Sequence, residues 1–279
     1  MGSCSMNLDR PFDFTGKVAV ITGGGGVLCS VLARALAQCG ASVVVLDINL
    51  PAAEKVAEEI RAQGGQATAI RADVLDKESL LAAAQQVTEA LGHIDILING
   101  AGGNKKEATT SDELSFFDLP ADAIRWVFDL NFMGTLLPSQ IFGRHMVKQG
   151  SGCIINISSM AAFRPLTRTV AYSPAKAAVS NFTQWLAVHI SQNYSDRIRV
   201  NAIAPGFFLT EQNRFLLVDE HTGELTERGQ AIIDHTPIGR FGDPEDLIGA
   251  VLWLLSDGAS FMHGAVIPID GGFSAFSGV

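Results

Sequence analysis

The sequence predicts an α/β fold: one parallel β-sheet covered by helices on both faces. Three observations carry that prediction. Short β-branched runs alternate with longer stretches of helical spacing along the 279 residues. The runs are apolar at almost every position, as strands buried on both faces must be. The first run opens straight into four consecutive glycines, 23–26, and then into a helical stretch.

The elements follow in order. Residues 17–22 (KVAVIT) are the first strand, and 27–39 a helix that Gly40 ends. Residues 42–46 (SVVVL) are the second strand, and 51–63 a helix with Pro51 in its first turn. Residues 66–72 are the third strand. Residues 76–91 are a helix capped by Asp76, with apolar positions at Leu80, Leu81, Ala84, Val87 and Leu91. Residues 94–98 are the fourth strand, ending in Asn99-Gly-Ala-Gly-Gly. Residues 120–149 are helical, 152–157 (GCIINI) a strand, 170–194 helical, 198–203 a strand, 243–255 a helix and 265–269 the seventh strand. Two stretches break the rhythm. Residues 103–119 are polar and loop-like, and 207–242 are a long insertion after the sixth strand. Long segments over the carboxyl edge of a sheet serve as lids or binding loops. No linker or change of composition divides the chain, so the expectation is one domain over 1–279, with an arm at 1–13.

Composition narrows the function classes. With 47% hydrophobic and 18% charged residues the chain has material for a large core, which excludes general disorder. A net charge of −9 opposes binding to phosphate backbones, so no nucleic-acid partner is expected. Cys4, Cys29, Cys39 and Cys153 form no CxxC pair, and the six histidines have no ligand spacing, so no metal and no disulfide framework are expected. The apolar stretch 247–255 is too short to span a membrane. The N-terminal MGSCSMNLDRPF does not read as a signal peptide. These features point to a reduced, cytoplasmic setting.

The glycines point to a dinucleotide. The segment Thr22, Gly23, Gly24, Gly25, Gly26, Val27, Leu28 joins a strand to a helix, where glycine permits a tight turn and a close approach to a pyrophosphate at the helix N-terminus. Asp47, followed by Ile48, ends the second strand, 21 residues after Gly26. An acid there accepts hydrogen bonds from a ribose 2′-OH, and no arginine directly follows to hold a 2′-phosphate, so NAD is expected rather than NADP. A plain helix-side cap is the other reading of Asp47. Asp73, with Val74 after it, fits an adenine contact or a simple turn residue equally. Asn99, Gly100, Ala101 and Gly102 fit backbone close to the dinucleotide or a sharp βα turn.

Tyr172 and Lys176 lie four apart, on one face of a helix. A cation at that spacing favours the phenolate, and the expectation is a lowered tyrosine pKa. Ser159 follows the fifth strand, thirteen residues earlier, where its hydroxyl can hydrogen-bond a carbonyl or alcohol oxygen.

With TGGGGVL at 22–28, Asn99-Gly-Ala-Gly102, Asn131, Ser158-Ser159, Tyr172-Ser-Pro-Ala-Lys176 and Pro205-Gly206, the chain resembles the short-chain dehydrogenase/reductase family from Phe14 to Gly272. The resemblance implies a Rossmann fold with a doubly wound seven-stranded sheet, a homotetramer, and hydride transfer at the nicotinamide C4. It implies Tyr172 as general acid/base, Ser159 as the group positioning the reacting oxygen, Lys176 on the nicotinamide ribose, and Asn131 in a water-linked proton relay. It places Pro205, Gly206 and Phe208 beside the nicotinamide and Thr210 near phosphate. The family pattern TGxxxGxG would put glycine at 27 and 29, where this chain has Val27 and Cys29. Cys29 therefore reads as a small packing residue.

For the substrate, Asn104, Lys105, Arg164, Gln212, Asn213 and Arg214, together with Ser159, offer amide and cationic donors suited to hydroxyls and a carboxylate. Surface charge at Lys105 and a lid-to-body ion pair at Arg214 are the plainer readings. The stretches GAGGN, SSMAAFRPLTRTVAYSPAKAAVSNFTQWLA and PGFFLTEQNRFLL resemble one branch of the family, the D-mannonate oxidoreductases or fructuronate reductases. That likeness implies interconversion of D-mannonate and D-fructuronate, with Arg164 or Arg214 on the carboxylate. Alternatives are another polyol acid of the gluconate 5-dehydrogenase type, a 3-oxoacyl thioester, or a non-catalytic NAD sensor.

Overall fold

The computed structural model describes residues 11–210, 214–219 and 222–278. Seven strands form one parallel sheet: β1 Val18–Thr22, β2 Ser42–Asp47, β3 Gln66–Arg71, β4 Ile96–Asn99, β5 Gly152–Ile157, β6 Ile198–Pro205 and β7 Val266–Ile269. Their spatial order is β3-β2-β1-β4-β5-β6-β7. The chain winds outward from β1 to β3, then crosses back to β4 and winds the other way. Thr22, at the end of β1, is therefore paired with Leu46 on one side and Asn99 on the other. The crevice beyond that reversal is where open α/β sheets bind ligands.

Side chains alternate between two apolar layers. Ala19 and Ile21 of β1 face one layer, with Leu32 and Leu36 of α1 (Val27–Gln38), Ile60 of α2 (Leu50–Ala62) and Leu254 of α8 (Ile248–Leu255). Val18 and Val20 face the other, with Leu80 of α3 (Lys77–Leu91), Phe142 and Met146 of α4 (Ala121–Gln149) and Ile190 of α5 (Tyr172–Asn193). Caps fix the helix ends. Asp76 accepts from the Glu78 N–H, and Gly92 and Gly150 close α3 and α4 in the left-handed conformation.

Departures from the sequence expectation are local. The helix expected over 243–255 divides into a 3₁₀ turn, Pro244–Leu247, fastened by a capping box on Asp243, and α8. The fourth strand starts at Ile96 and not at residue 94, because the Gln149 side chain accepts the Ile94 N–H (3.3 Å) and donates to its carbonyl (2.6 Å). Strand β6 runs two residues further than expected, because Ala204 and Pro205 still pair with β7. The insertion carries α6 (Arg214–Leu217) and α7 (Glu227–Asp234) around a small cluster of Leu217, Val218 and Ile232. No helix among the described residues is long and apolar enough to cross a membrane.

Candidate active site

The glycine turn is held by its neighbours on three sides. The buried Thr22 hydroxyl accepts the N–H groups of Gly100 (3.1 Å) and Ala101 (3.3 Å), joining the β1 and β4 turns. Gly23 has φ 62, and a Cβ on it would stand 2.8 Å from the Ala101 Cα. The Gly25 N–H donates to Asp47 Oδ2 (3.0 Å), and Asp47 Oδ1 accepts from the Asn49 N–H (2.9 Å). Gly26 caps α1 without a side chain, so the first-turn N–H groups point outward uncapped. That terminus is electropositive and suited to a phosphate. Val27 is exposed, Leu28 half-buried and Ile48 exposed at this edge.

The departure at Cys29 has a structural partner. A Cβ on Gly100 would lie only 2.0 Å from Cys29 Sγ. The thiol fills the space that Gly100 leaves empty, and burial pushes its pKa up to about 12. Cys29 is a packing residue, as the sequence indicates.

Asp73 forms a turn of its own, Oδ1 accepting the Leu75 N–H (2.9 Å), and Val74 is buried against α4, where a Cβ on Gly134 would touch it at 3.0 Å. At the β6 end, Gly206 is required by close approach, since a Cβ there would stand 2.6 Å from the Asp270 Cα. Pro205 ends β6, Phe208 is buried and bridges to Gly242, and the Thr210 carbonyl accepts the Arg214 N–H (2.9 Å).

Ser159, Tyr172, Lys176 and Asn131 come together. Tyr172 opens α5 with its phenol beside the Ser159 side chain, whose Oγ accepts the Ala161 N–H (3.1 Å). Lys176, one turn on, is 4% exposed; its Nζ donates to the Ile157 carbonyl (2.8 Å) and lies 5.7 Å from the centroid of the Tyr172 ring. Asn131, fully buried in α4, donates to the Gly103 carbonyl (2.7 Å) and accepts its N–H (3.2 Å). A Cβ on Gly102 would stand 2.7 Å from Asn131 Oδ1 and 3.2 Å from Lys176 Nζ. The NGAG turn thus lies directly against both side chains.

The electrostatics correct one expectation. Burial pushes the Tyr172 phenol above its ordinary value, and the neighbouring Ser159 hydroxyl pulls it back only in part. Burial also pulls Lys176 down to about 8. Desolvation disfavours either charge, and it outweighs the attraction expected between them.

A buried polar chain beneath the site was not legible in the sequence. Asn99 Nδ2 donates to Ser139 Oγ (2.9 Å) and to Asn156 Oδ1 (2.8 Å), and Asn156 Nδ2 donates to Thr183 Oγ1 (2.9 Å). Ser139 donates to the Thr135 carbonyl (2.7 Å) and Thr135 to that of Asn131 (2.9 Å). The chain ties α4 to α5 through β4 and β5. Its signal was a polar residue in two otherwise apolar strands, Asn99 and Asn156.

The expected substrate residues do not all gather. Asn104 donates to Thr109 Oγ1 (2.9 Å), and Lys105 sits 5.2 Å from the Trp126 ring centroid as a cation–π pair. Arg164 is exposed and donates to the Ser274 carbonyl (3.2 Å), tying its loop to the C-terminal segment. Arg214 is exposed on α6. Gln212 and Asn213 lie outside the described residues. Among the described residues no cluster of His, Cys, Asp and Glu could hold a metal.

Comparison with known proteins bears on all of this. A family model described as enoyl-(acyl carrier protein) reductase matches residues 28–274. An uncharacterized oxidoreductase of Haemophilus influenzae is 49% identical, over 99% of each chain. An uncharacterized oxidoreductase of Bacillus subtilis, UxuB, is 48% identical over 96% of this chain and 98% of its own. A solved Haemophilus structure with bound NAD, provisionally named a D-mannonate oxidoreductase, superposes with a TM-score of 0.91. It is 48% identical and covers 98% of this chain and all of its own. With the strand order, the glycine turn and the Ser–Tyr–Lys grouping already in place, such identity over the whole length makes this chain a member of the short-chain dehydrogenase/reductase family of oxidoreductases.

Proposed function

We propose that the chain catalyses the reversible NAD-linked oxidation of D-mannonate to D-fructuronate. The observation that carries the chemistry is the grouping of the Tyr172 phenol with the Ser159 side chain and with the Lys176 ammonium, 5.7 Å from the phenol ring centroid. The substrate rests on the likeness to the NAD-bound Haemophilus structure and its name.

The residues at the strand ends fit a dinucleotide. The uncapped N–H groups after Gly26 suit a pyrophosphate, with Thr22, Gly23, Gly25, Val27 and Leu28 shaping the turn. Asp47 spends one lone pair per oxygen on Gly25 and Asn49 and keeps the others for ribose hydroxyls. Ile48, Asp73 and Val74 border the adenosine end, and 99–102, Pro205, Gly206, Phe208 and Thr210 the nicotinamide end. NAD, when bound, supplies the hydride acceptor. Ser159 Oγ holds the reacting oxygen, and Tyr172 takes the hydroxyl proton on oxidation and returns it on reduction. Lys176 binds ribose hydroxyls beside the phenol, and Asn131 anchors the relay that carries the proton away.

The proposal includes a single domain with 207–242 as its substrate loop. It also includes a homotetramer, supported by the exposed aromatic ladder along α5, in which Trp185 stacks on Phe182 and His189.

Absorbance at 340 nm tests this with NAD⁺ and NADP⁺ against D-mannonate, D-gluconate and uncharged polyols. NAD⁺-linked turnover of D-mannonate is expected. Turnover of another alcohol alone removes the substrate and leaves the mechanism, whereas preference for NADP⁺ removes the role given to Asp47.

A further inference from the structure

The segment after β7 touches both ends of the 207–242 insertion and the loop that follows Ser159. Asp270 folds this segment back on itself: Oδ1 accepts the Gly272 N–H (3.0 Å) and Oδ2 the Ser274 N–H (2.9 Å). The Asp270 carbonyl accepts the Phe273 N–H (3.1 Å), and the Gly272 carbonyl the Phe276 N–H (3.1 Å). The turn so formed presents two half-buried rings to the insertion. Phe273 meets Phe207, at the first root of the insertion, edge to face with 5.2 Å between centroids. It meets His235, the residue that ends α7, in the same manner at 4.7 Å. Phe276 adds a tilted contact with His235 at 5.0 Å. Backbone fastens the second root as well. The Gly271 carbonyl accepts the Ile238 N–H (3.2 Å), and a Cβ on Gly271 would stand 2.8 Å from Thr236 Cγ2. The Phe207 carbonyl accepts the Gly242 N–H (2.8 Å), so the two roots are also joined to each other. On the opposite side, Arg164 Nε donates to the Ser274 carbonyl (3.2 Å), five residues after Ser159.

The middle of the insertion has only the small cluster of Leu217, Val218 and Ile232 to hold it. A segment with so few buried contacts keeps one position only where its ends are fastened. We propose that Phe273 is a positioning residue for the substrate. Seated between Phe207 and His235, it fixes both roots of the insertion, and the Ser274–Arg164 bond sets their distance from the Ser159 loop. Phe273 acts through those neighbours, so it governs how well the insertion closes on an alcohol and leaves the proton transfer at Tyr172 alone. The adenosine and pyrophosphate ends of the dinucleotide lie at the β1 and β2 turns, away from this contact. The inference rests on the reading of 207–242 as the substrate loop.

The test measures kcat and KM at 340 nm with D-mannonate, or with whichever alcohol of the panel the wild type oxidises, and KM for NAD⁺ beside them. It uses the wild type, Phe273→Ala, Phe273→Tyr, His235→Ala and the double variant of Phe273→Ala with His235→Ala. Phe276→Ala, which loses only the outer ring contact, replaces Phe273→Ala if that protein fails to bind NADH. In Phe273→Ala, KM for the alcohol is expected to rise roughly fivefold or more, with kcat and KM for NAD⁺ within about twofold of the wild type. Phe273→Tyr keeps both ring contacts and should recover the affinity. The double variant should rise by less than the product of the single effects, because both remove one shared contact. An unchanged KM for the alcohol, equal losses on the alcohol and NAD⁺, or a tyrosine variant no better than alanine overturns the proposal. Amide exchange gives a readout independent of turnover: exchange across Glu227–Asp234 should quicken in Phe273→Ala while β5 stays unchanged. If the wild type turns over nothing on the panel, the proposed function falls and exchange alone decides. Faster exchange in α7 then upholds the fastening of the insertion by Phe273, and unchanged exchange overturns it.

Discussion

The turns at the ends of β1, β2 and β4 contrast with the 207–242 insertion. The strand-end turns grow from strands buried on both faces and are cross-tied: Thr22 to Gly100 and Ala101, Asp47 to Gly25, Asn131 to Gly103. The insertion rests on a small apolar cluster of Leu217, Val218 and Ile232, with Phe207, Leu209 and Phe241 partly covering it. Under the proposed function, chemistry that tolerates little displacement sits on rigid strand ends, and discrimination between substrates falls to the less tied insertion. The same scaffold can therefore keep its proton-transfer group and exchange its pocket.

Tyr172→Phe breaks the comparison on its rigid side. Turnover is expected to fall roughly 10²- to 10⁴-fold, the usual worth of a positioned acid/base group. NADH binding, followed by fluorescence, persists. Retained turnover would remove Tyr172 from the mechanism.

A pair of truncations sharpens it. Ile154→Ala, in the β5 core, is expected to cost about 2–5 kcal/mol in denaturant unfolding. Ile232→Ala, in the small cluster, should move the global midpoint far less, because α7 can open locally before the sheet does. Faster amide exchange confined to α7 is the companion measurement, and equal global losses would show that insertion and sheet unfold together.

Lys176 makes the rigid side pay in stability. Its folded-state pKa of about 8 lies below the ordinary 10.5, so between those values the unfolded chain binds more protons and stability rises with pH. Relative to Lys176→Met, the wild type should gain on the order of 3 kcal/mol from pH 7 to pH 10.5. A flat difference in urea unfolding would refute the buried, titrating ammonium.

The smallest expected effect concerns the exchanged bulk at Cys29. Gly100→Ala should cost about 1–3 kcal/mol through overlap with the thiol at 2.0 Å and the Thr22 carbonyl at 2.9 Å, and Cys29→Ala should restore the part that the thiol causes. Additive losses in the double-mutant cycle would show that the two residues do not share the space.

Most of the architecture was legible in the sequence, since strands buried on both faces must be apolar throughout and period alone separates them from amphipathic helices. The glycine turn, Asp47 and the Tyr172–Lys176 spacing were legible for a related reason: each is local, needing only a few residues on one element. The 3₁₀ turn at Pro244–Leu247 and the late start of β4 were not, because a capping box and the distant Gln149 side chain decide them.

By itself, then, the sequence determined the order of elements, the place of the glycine turn and the identity of the groups at the strand ends, all properties of short, contiguous stretches. Only the tertiary structure decided which partners those groups meet. It brought Cys29 against Gly100, linked Asn99 through Asn156 to Thr183 and turned Arg164 toward Ser274. It also raised the Tyr172 pKa that spacing alone would lower, because desolvation depends on everything packed around a side chain and not on the residue four positions away.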